Sequence, residues 1–128
     1  LDEFLKRLTA SDVPLGIGSA APPENVDFVL DNLSIRPLFK AIRHARDVVN
    51  GKPDPEIYHK VAAGLEIPVE ECLIFEDSPV GALAASRAGS KVVVVTRTHD
   101  PNEFNDIPNI IQYINNYHEI DQELTDLF

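Results

Sequence analysis

Three short stretches carry residue types that can do chemistry. Ser19 follows Leu15-Gly16-Ile17-Gly18, Lys52 sits in Asn50-Gly51-Lys52-Pro53, and the adjacent acids Glu76 and Asp77 end the apolar run Cys72-Leu73-Ile74-Phe75. Two neighbouring carboxylates at the end of an apolar run repel each other and lose hydration. A hard divalent cation relieves both costs, and magnesium takes oxygen ligands from only one or two carboxylates. The plainer reading is a turn in which Asp77 or Ser78 caps the next helix. Lys52 precedes a helix start, where an ammonium can hold a phosphate as a point charge beside the helix dipole; its plainer reading is an exposed loop lysine. The Ser19 hydroxyl and the Ala20 N–H can bind phosphoryl oxygens, or Ser19 can close a local turn. Singly, the serine and the lysine favour the plain readings. Jointly, a serine, a lysine and an acidic pair on successive strand ends describe a site for a phosphate and a magnesium ion.

Those strand ends need a parallel sheet, because ligands of open α/β sheets bind outside the carboxyl ends of the strands. Phe4, Leu5 and Leu8 share a face with Leu1, which predicts a first helix ending near Ser11-Asp12. Val13–Gly18 is a short strand weakened by its glycines. Pro23 and Glu24 open a second helix through Val26, Val29, Leu30 and Leu33. Phe39–Ile42 is a strand candidate, and Val48–Pro53 a loop. Asp54-Pro55-Glu56 predicts a helix with Asp54 as N-cap and Pro55 first, running to Leu65. Cys72–Phe75 reads as a strand, with Cys72 a small core residue. Ser78-Pro79 opens an alanine-rich helix that ends at Gly89. Lys91–Thr96 holds four consecutive valines, a strand buried on both faces. The tail adds Ile110–Ile114 and a last helix over Ile120–Phe128. Strands alternate with helices, which implies an α/β fold with right-handed crossovers.

The chain has 128 residues, 44% of them apolar, enough for one domain over residues 1–128. Its 11 basic and 21 acidic residues give a net charge of −10. That charge repels nucleic acid and anionic membrane, so neither is an expected partner. Any anionic substrate must then be drawn in by a local cation or helix N-terminus. The single cysteine, Cys72, excludes an internal disulfide. Neither a signal peptide nor a membrane-length apolar run is visible, and a cytoplasmic location is the expectation.

Ser19, the run Gly51-Lys52-Pro53-Asp54-Pro55-Glu56-Ile57-Tyr58, and Glu76-Asp77-Ser78 followed by Gly81, Ala84, Ala85 and Gly89 resemble the haloacid dehalogenase superfamily of phosphotransfer enzymes. Within it they look most like the β-phosphoglucomutase-like phosphatases and phosphomutases. The resemblance covers roughly residues 1 to 100. It implies a three-layer, Rossmann-like parallel sheet. It also implies that Ser19 and the Ala20 amide hold the transferring phosphoryl group and that Lys52 neutralises charge on it. Asp77 would ligate magnesium directly, with Glu76 ligating or supporting it through water. This is electrostatic positioning of the kind phosphoryl transfer needs. The implied substrate is a small phosphorylated metabolite, with sugar phosphates among the candidates.

The departure from that pattern is equally plain. The superfamily's nucleophile lies in an Asp-x-Asp at the end of its first strand, and these 128 residues contain no Asp-x-Asp. Nor is there room for the cap domain that selects the substrate. The chain, which holds no methionine and opens at helical spacing, is therefore expected to be the C-terminal portion of the enzyme. By resemblance, the nucleophile strand lies between the strands ending at Ser19 and at Glu76. Its removal leaves unpaired backbone groups costing about 1–3 kcal/mol each if buried, against a net stability of roughly 5–15 kcal/mol. The missing N-terminal segment of the same protein is the expected partner.

Other readings fit less of the sequence. Gly16-Ile17-Gly18-Ser19-Ala20-Ala21 matches a dinucleotide fingerprint ending in alanine, but no acid ends a second strand about twenty residues on. Gly51-Lys52 is followed by Pro53, which excludes a nucleotide-hydrolase phosphate loop. A receiver-like signalling module, or another non-catalytic phosphate-binding module, would also combine acids, a hydroxyl and a lysine. Receivers order them with the acidic pair first, whereas here the serine comes first.

Overall fold

Helices and strands alternate through residues 2–117, which the computed structural model describes. The helix expected over Ile120–Phe128 lies outside those residues. Helix α1 (Asp2–Ala10) buries Phe4, Leu5 and Leu8, the stripe expected from their spacing. Strand β1 is Gly16–Gly18 and helix α2 is Pro23–Asn32. Of the expected α2 face, Val26 and Leu30 are buried, while Val29 and Leu33 are about half exposed. Leu33 is the C-cap and has left the helical face. Strand β2 (Ala41–Arg43) pairs in parallel with β1, Ile17 opposite Ile42.

Helix α3 (Glu56–Leu65) starts one residue later than Asp54-Pro55 predicted. Pro55 has φ −77° and ψ 1°, outside the helix, and stands as the cap residue. Asp54 still accepts the Glu56 N–H at 2.9 Å, so the expected capping chemistry survives the shift. Strand β3 is Leu73–Glu76, one residue further on than expected: Glu76 belongs to the strand, and Cys72 is only half-buried before it. Ser78 caps α4 (Pro79–Arg87), its hydroxyl accepting the Gly81 N–H at 3.1 Å. Strand β4 (Lys91–Val95) is buried from Val92 onward, each valine contributing about 1.5–3 kcal/mol by leaving water. Strand β5 (Ile110–Ile114) has a register irregularity: Val92 faces Ile110 and Val93 faces Gln112. The extra residue, Ile111, turns outward and explains two consecutive isoleucines in one strand.

The expected parallel sheet is present as two. Strands β1 and β2 form one, and β3, β4 and β5, in that order, form the other. No ladder joins β1 to β3. The helices hold both sheets in a single layer. On one face, α1 sends Phe4 and Leu8 onto Val93, Val95 and Ile114, and sends Leu5 into the cluster of Val26, Leu30 and Ile17. On the other, Ile57, Tyr58 and Ala62 of α3 meet Ala82, Ala84 and Ala85 of α4 over Val92 and Val94. Strand β4, paired on both edges, is fully enclosed, whereas Ile17, Leu73 and Phe75 on the singly paired strands are only partly buried. Among the described residues, no helix is long and apolar enough to cross a membrane.

The glycines that make β1 look weak serve packing. A Cβ on Gly16 would stand 2.5 Å from Cγ1 of Val61, so α3 lies directly on β1. Gly16→Ala is expected to cost about 1–3 kcal/mol of stability in urea denaturation, the usual range for overpacking. Gly51→Ala, with nothing within 4 Å of the added carbon, is expected to stay within about 0.5 kcal/mol of the parent. Equal costs at the two positions would contradict this packing.

Candidate active site

The ends of β1 and β3 and the loop before α3 meet at one side chain. The Lys52 ammonium donates to the carbonyl of Gly18 at 3.2 Å and to Oε1 of Glu76 at 2.7 Å. These are the last residues of the two strands that share no ladder. The pair is enclosed, with side-chain exposures of 12% for Lys52 and 8% for Glu76. The Tyr58 hydroxyl donates to the same Glu76 oxygen, and the Lys52 ammonium lies 4.9 Å from the centre of the Tyr58 ring, within cation–π range. Burial, reinforced by the Glu76 charge, pushes the Tyr58 phenol far above its usual range, which keeps it a neutral donor.

Local sequence explains each placement. Glu56, in the first turn of α3, accepts the N–H groups of Val49 at 2.9 Å and Asn50 at 3.0 Å and so pins the loop that leads into Lys52. Those two N–H groups hold its carboxyl below the usual range. The Lys52–Pro53 peptide is cis. Gly81, in the first turn of α4, leaves the space that the Glu76 carboxylate fills; a Cβ there would overlap it. The carboxylate also lies beside the α4 N-terminus, where the helix dipole favours negative charge.

Ser19 and Ala20 stand beside this pair. With Val48, Val49, Gly51 and Lys52 they line a cavity of about 120 Å³. The Ser19 hydroxyl accepts the Ala21 N–H at 3.1 Å, the local turn allowed by the plainer reading, and its own N–H continues the β1–β2 ladder to Arg43. The Ala20 N–H enters no hydrogen bond among the described residues. Asp77, the residue after Glu76, is exposed. The Tyr117 phenol, stacked on Phe4, is pushed up by burial and by the charges of Asp77 and Glu76, with Arg97 opposing.

Lys52 thus joins the two groups, bonded to Glu76 and lining a cavity with Ser19 and Ala20, while Asp77 follows Glu76 in the chain. Sequence reasoning named Tyr58, Glu56 and Gly81 only as parts of a helix start or of the resembling runs and gave none of them a task in the site. A signal existed for Tyr58, a hydroxyl-bearing aromatic in the first turn of a helix that begins just after the candidate lysine. Nothing in the sequence said that its hydroxyl and the lysine would share one oxygen. As a magnesium site the donor set fits. Asp77 offers a free-standing carboxylate, and Glu76 has one oxygen already held by Lys52 and Tyr58. Among the described residues no group of three or more His, Cys, Asp or Glu gathers to hold a metal. A hard cation that takes one or two carboxylates and keeps waters or substrate oxygens is matched by this sparse oxygen set.

Three comparisons with known proteins point the same way. The family described as haloacid dehalogenase-like hydrolase matches residues 1–89. The validoxylamine A 7'-phosphate phosphatase of Streptomyces hygroscopicus subsp. limoneus is 39% identical over 98 residues, covering 77% of this chain and 46% of that protein. A haloacid dehalogenase family hydrolase from Deinococcus radiodurans, solved with bound phosphate and sodium, superposes with a TM-score of 0.87 at 25% identity, over 98% of this chain and 57% of that one. A β-phosphoglucomutase from Clostridium difficile gives a TM-score of 0.83 over 98% of this chain and 52% of its own; at 24% identity it speaks for the fold. The chain spans about half the length of these three proteins.

Breaking the enclosed ion pair from one side should be costly, because it leaves an uncompensated buried charge. Glu76→Gln is expected to lower stability by about 3–5 kcal/mol in urea denaturation. Lys52→Met added to Glu76→Gln should recover part of that loss, giving a coupling of roughly 1–3 kcal/mol in the double-mutant cycle. Strict additivity would show that the two groups do not act as a pair.

Proposed function

The chain belongs to the haloacid dehalogenase-like hydrolases, and from that premise we propose that it forms the phosphoryl- and metal-holding part of a magnesium-dependent phosphatase or phosphomutase. The substrate is a small phosphorylated metabolite, a sugar phosphate among the candidates. The observation that carries this reading is the Lys52 ammonium. It is fixed between Gly18 and Glu76, and Lys52 is among the residues that line a cavity with Ser19 and Ala20. In a protein of net charge −10, such a cation is the device that an anionic ester requires.

In this reading the Ala20 N–H and the Ser19 hydroxyl hold phosphoryl oxygens, and Lys52 offsets their charge. Asp77 is the direct magnesium ligand; Glu76, already bonded to Lys52 and Tyr58, supports it. Magnesium, when bound, supplies further neutralisation of the phosphoryl charge. The nucleophile is an aspartate of an Asp-x-Asp outside this sequence. Its carboxylate bonds to phosphorus as the ester P–O bond breaks, and the second aspartate of the Asp-x-Asp, as general acid, gives the leaving alcohol its proton. Water, or a second hydroxyl in a mutase, then takes the phosphoryl group from the aspartyl-phosphate. The strand bearing that aspartate would lie between β1 and β3, whose facing edges have no partner in the ladder pattern. The enzyme is read as cytoplasmic, in keeping with its one cysteine.

Two substitutions in the intact protein test these roles with a simple aryl phosphate as substrate. Lys52→Ala is expected to lower kcat/KM on the order of 10²-fold or more, the scale for losing one charge-stabilising donor. Asp77→Asn is expected to lower activity sharply and to raise the magnesium requirement by at least the roughly 10-fold that even an outer partner of a metal ligand commands. Parent-like kinetics in either variant would remove that residue from the site.

A further inference from the structure

The reading above leaves one buried polar group without a task. Tyr58 belongs to the core beside Ile57 and Ala62, and a phenylalanine would fill that space. Its hydroxyl does something that a core aromatic does not need: it donates to the same Glu76 oxygen that receives the Lys52 ammonium.

We propose that Tyr58 is a positioning residue that aims the Lys52 ammonium into the Ser19–Ala20 cavity. It acts through Glu76 with its hydroxyl and on the ammonium itself with its ring. The proposal rests on the reading of that cavity as a phosphoryl site.

An ammonium has three N–H donors. The Gly18 carbonyl takes one and Glu76 Oε1 a second. The Tyr58 ring face occupies another side at 4.9 Å. One N–H donor remains for a ligand, and Lys52 is among the residues that line the cavity with Ser19, Ala20 and Gly51. A lysine on its flexible four-carbon stem would otherwise sample several directions, so fixing it beforehand removes an ordering cost from anion binding. Glu76 can act as the fixed point because it is itself confined. The Gly81 backbone sits where a side chain would collide with it, and the phenol and ammonium hold Oε1. Withdrawing the phenol frees the carboxylate to turn, and the ammonium follows it.

The test is titration calorimetry of the intact protein with inorganic phosphate and no magnesium, alongside thermal melts. The parent binds phosphate and Lys52→Ala loses most of that binding. Tyr58→Phe, which keeps the ring, should raise the phosphate Kd roughly tenfold, the scale of a hydrogen bond to a charged group, with little change in Tm. Tyr58→Leu, which also removes the ring, should raise it further. Glu76→Asp draws the carboxylate back by one methylene and reads the same coupling from the other partner; it too should weaken phosphate. Parent-like phosphate binding in Tyr58→Phe or in Glu76→Asp, while Lys52→Ala is impaired, overturns the role of Tyr58 and leaves the phosphoryl reading standing. A parent that binds no phosphate overturns both.

Discussion

A single ammonium ties together the ends of two strands from separate sheets. Strands β1 and β3 share no ladder, yet their last residues are tied by Lys52, which holds the backbone of one and the carboxylate of the other. A charge this enclosed is tolerable only if paired and hydrogen-bonded. That requirement propagates outward. Glu76 must be the strand's final residue, Gly81 must lack a Cβ, Tyr58 must present its hydroxyl, and the loop before α3 must be pinned by Glu56. Each can be read as a condition for keeping one lysine in place.

The same pair gives the chain's chemistry its sign. The protein is strongly acidic, and its field at long range disfavours anions. At short range, Lys52 and the Ala20 N–H, which enters no hydrogen bond among the described residues, stand beside the cavity. Holding a cation in place before the ligand arrives is the kind of electrostatic preorganisation that transfers of phosphoryl groups depend on. Asp77, one residue beyond the enclosed Glu76, is open to solvent. Two adjacent carboxylates thereby differ in burial, and in the proposed function that difference divides direct from supporting contact with a metal.

Much of this was legible in the residue order. The valine run of β4, the Ser78-Pro79 start of α4 and the stripe of α1 are local signals with local causes, and they read correctly. The meeting of Lys52 with Glu76 has local roots too: "GKPDPEIY" and "FEDSPVGALAA" are compact runs, each placing a polar group at a strand or helix end. What escaped was set by partners distant in sequence. Glu76 reads as the residue after a strand, and only the ladder to Val94 makes it the last residue within one. Tyr58 reads as core because its meeting with Glu76 spans two elements. The division into two sheets depends on which strands find neighbours, and no window of sequence reports that.

The most direct measurement is a crystal structure of the intact protein soaked with inorganic phosphate and magnesium. The account predicts a phosphate with one oxygen at hydrogen-bond distance from Lys52 Nζ and another at the Ser19–Ala20 turn, with a metal on the Asp77 carboxylate. Lys52 should keep its contacts to Gly18 and Glu76. An anion bound elsewhere, with the Lys52 ammonium still turned only to its protein partners, would contradict it.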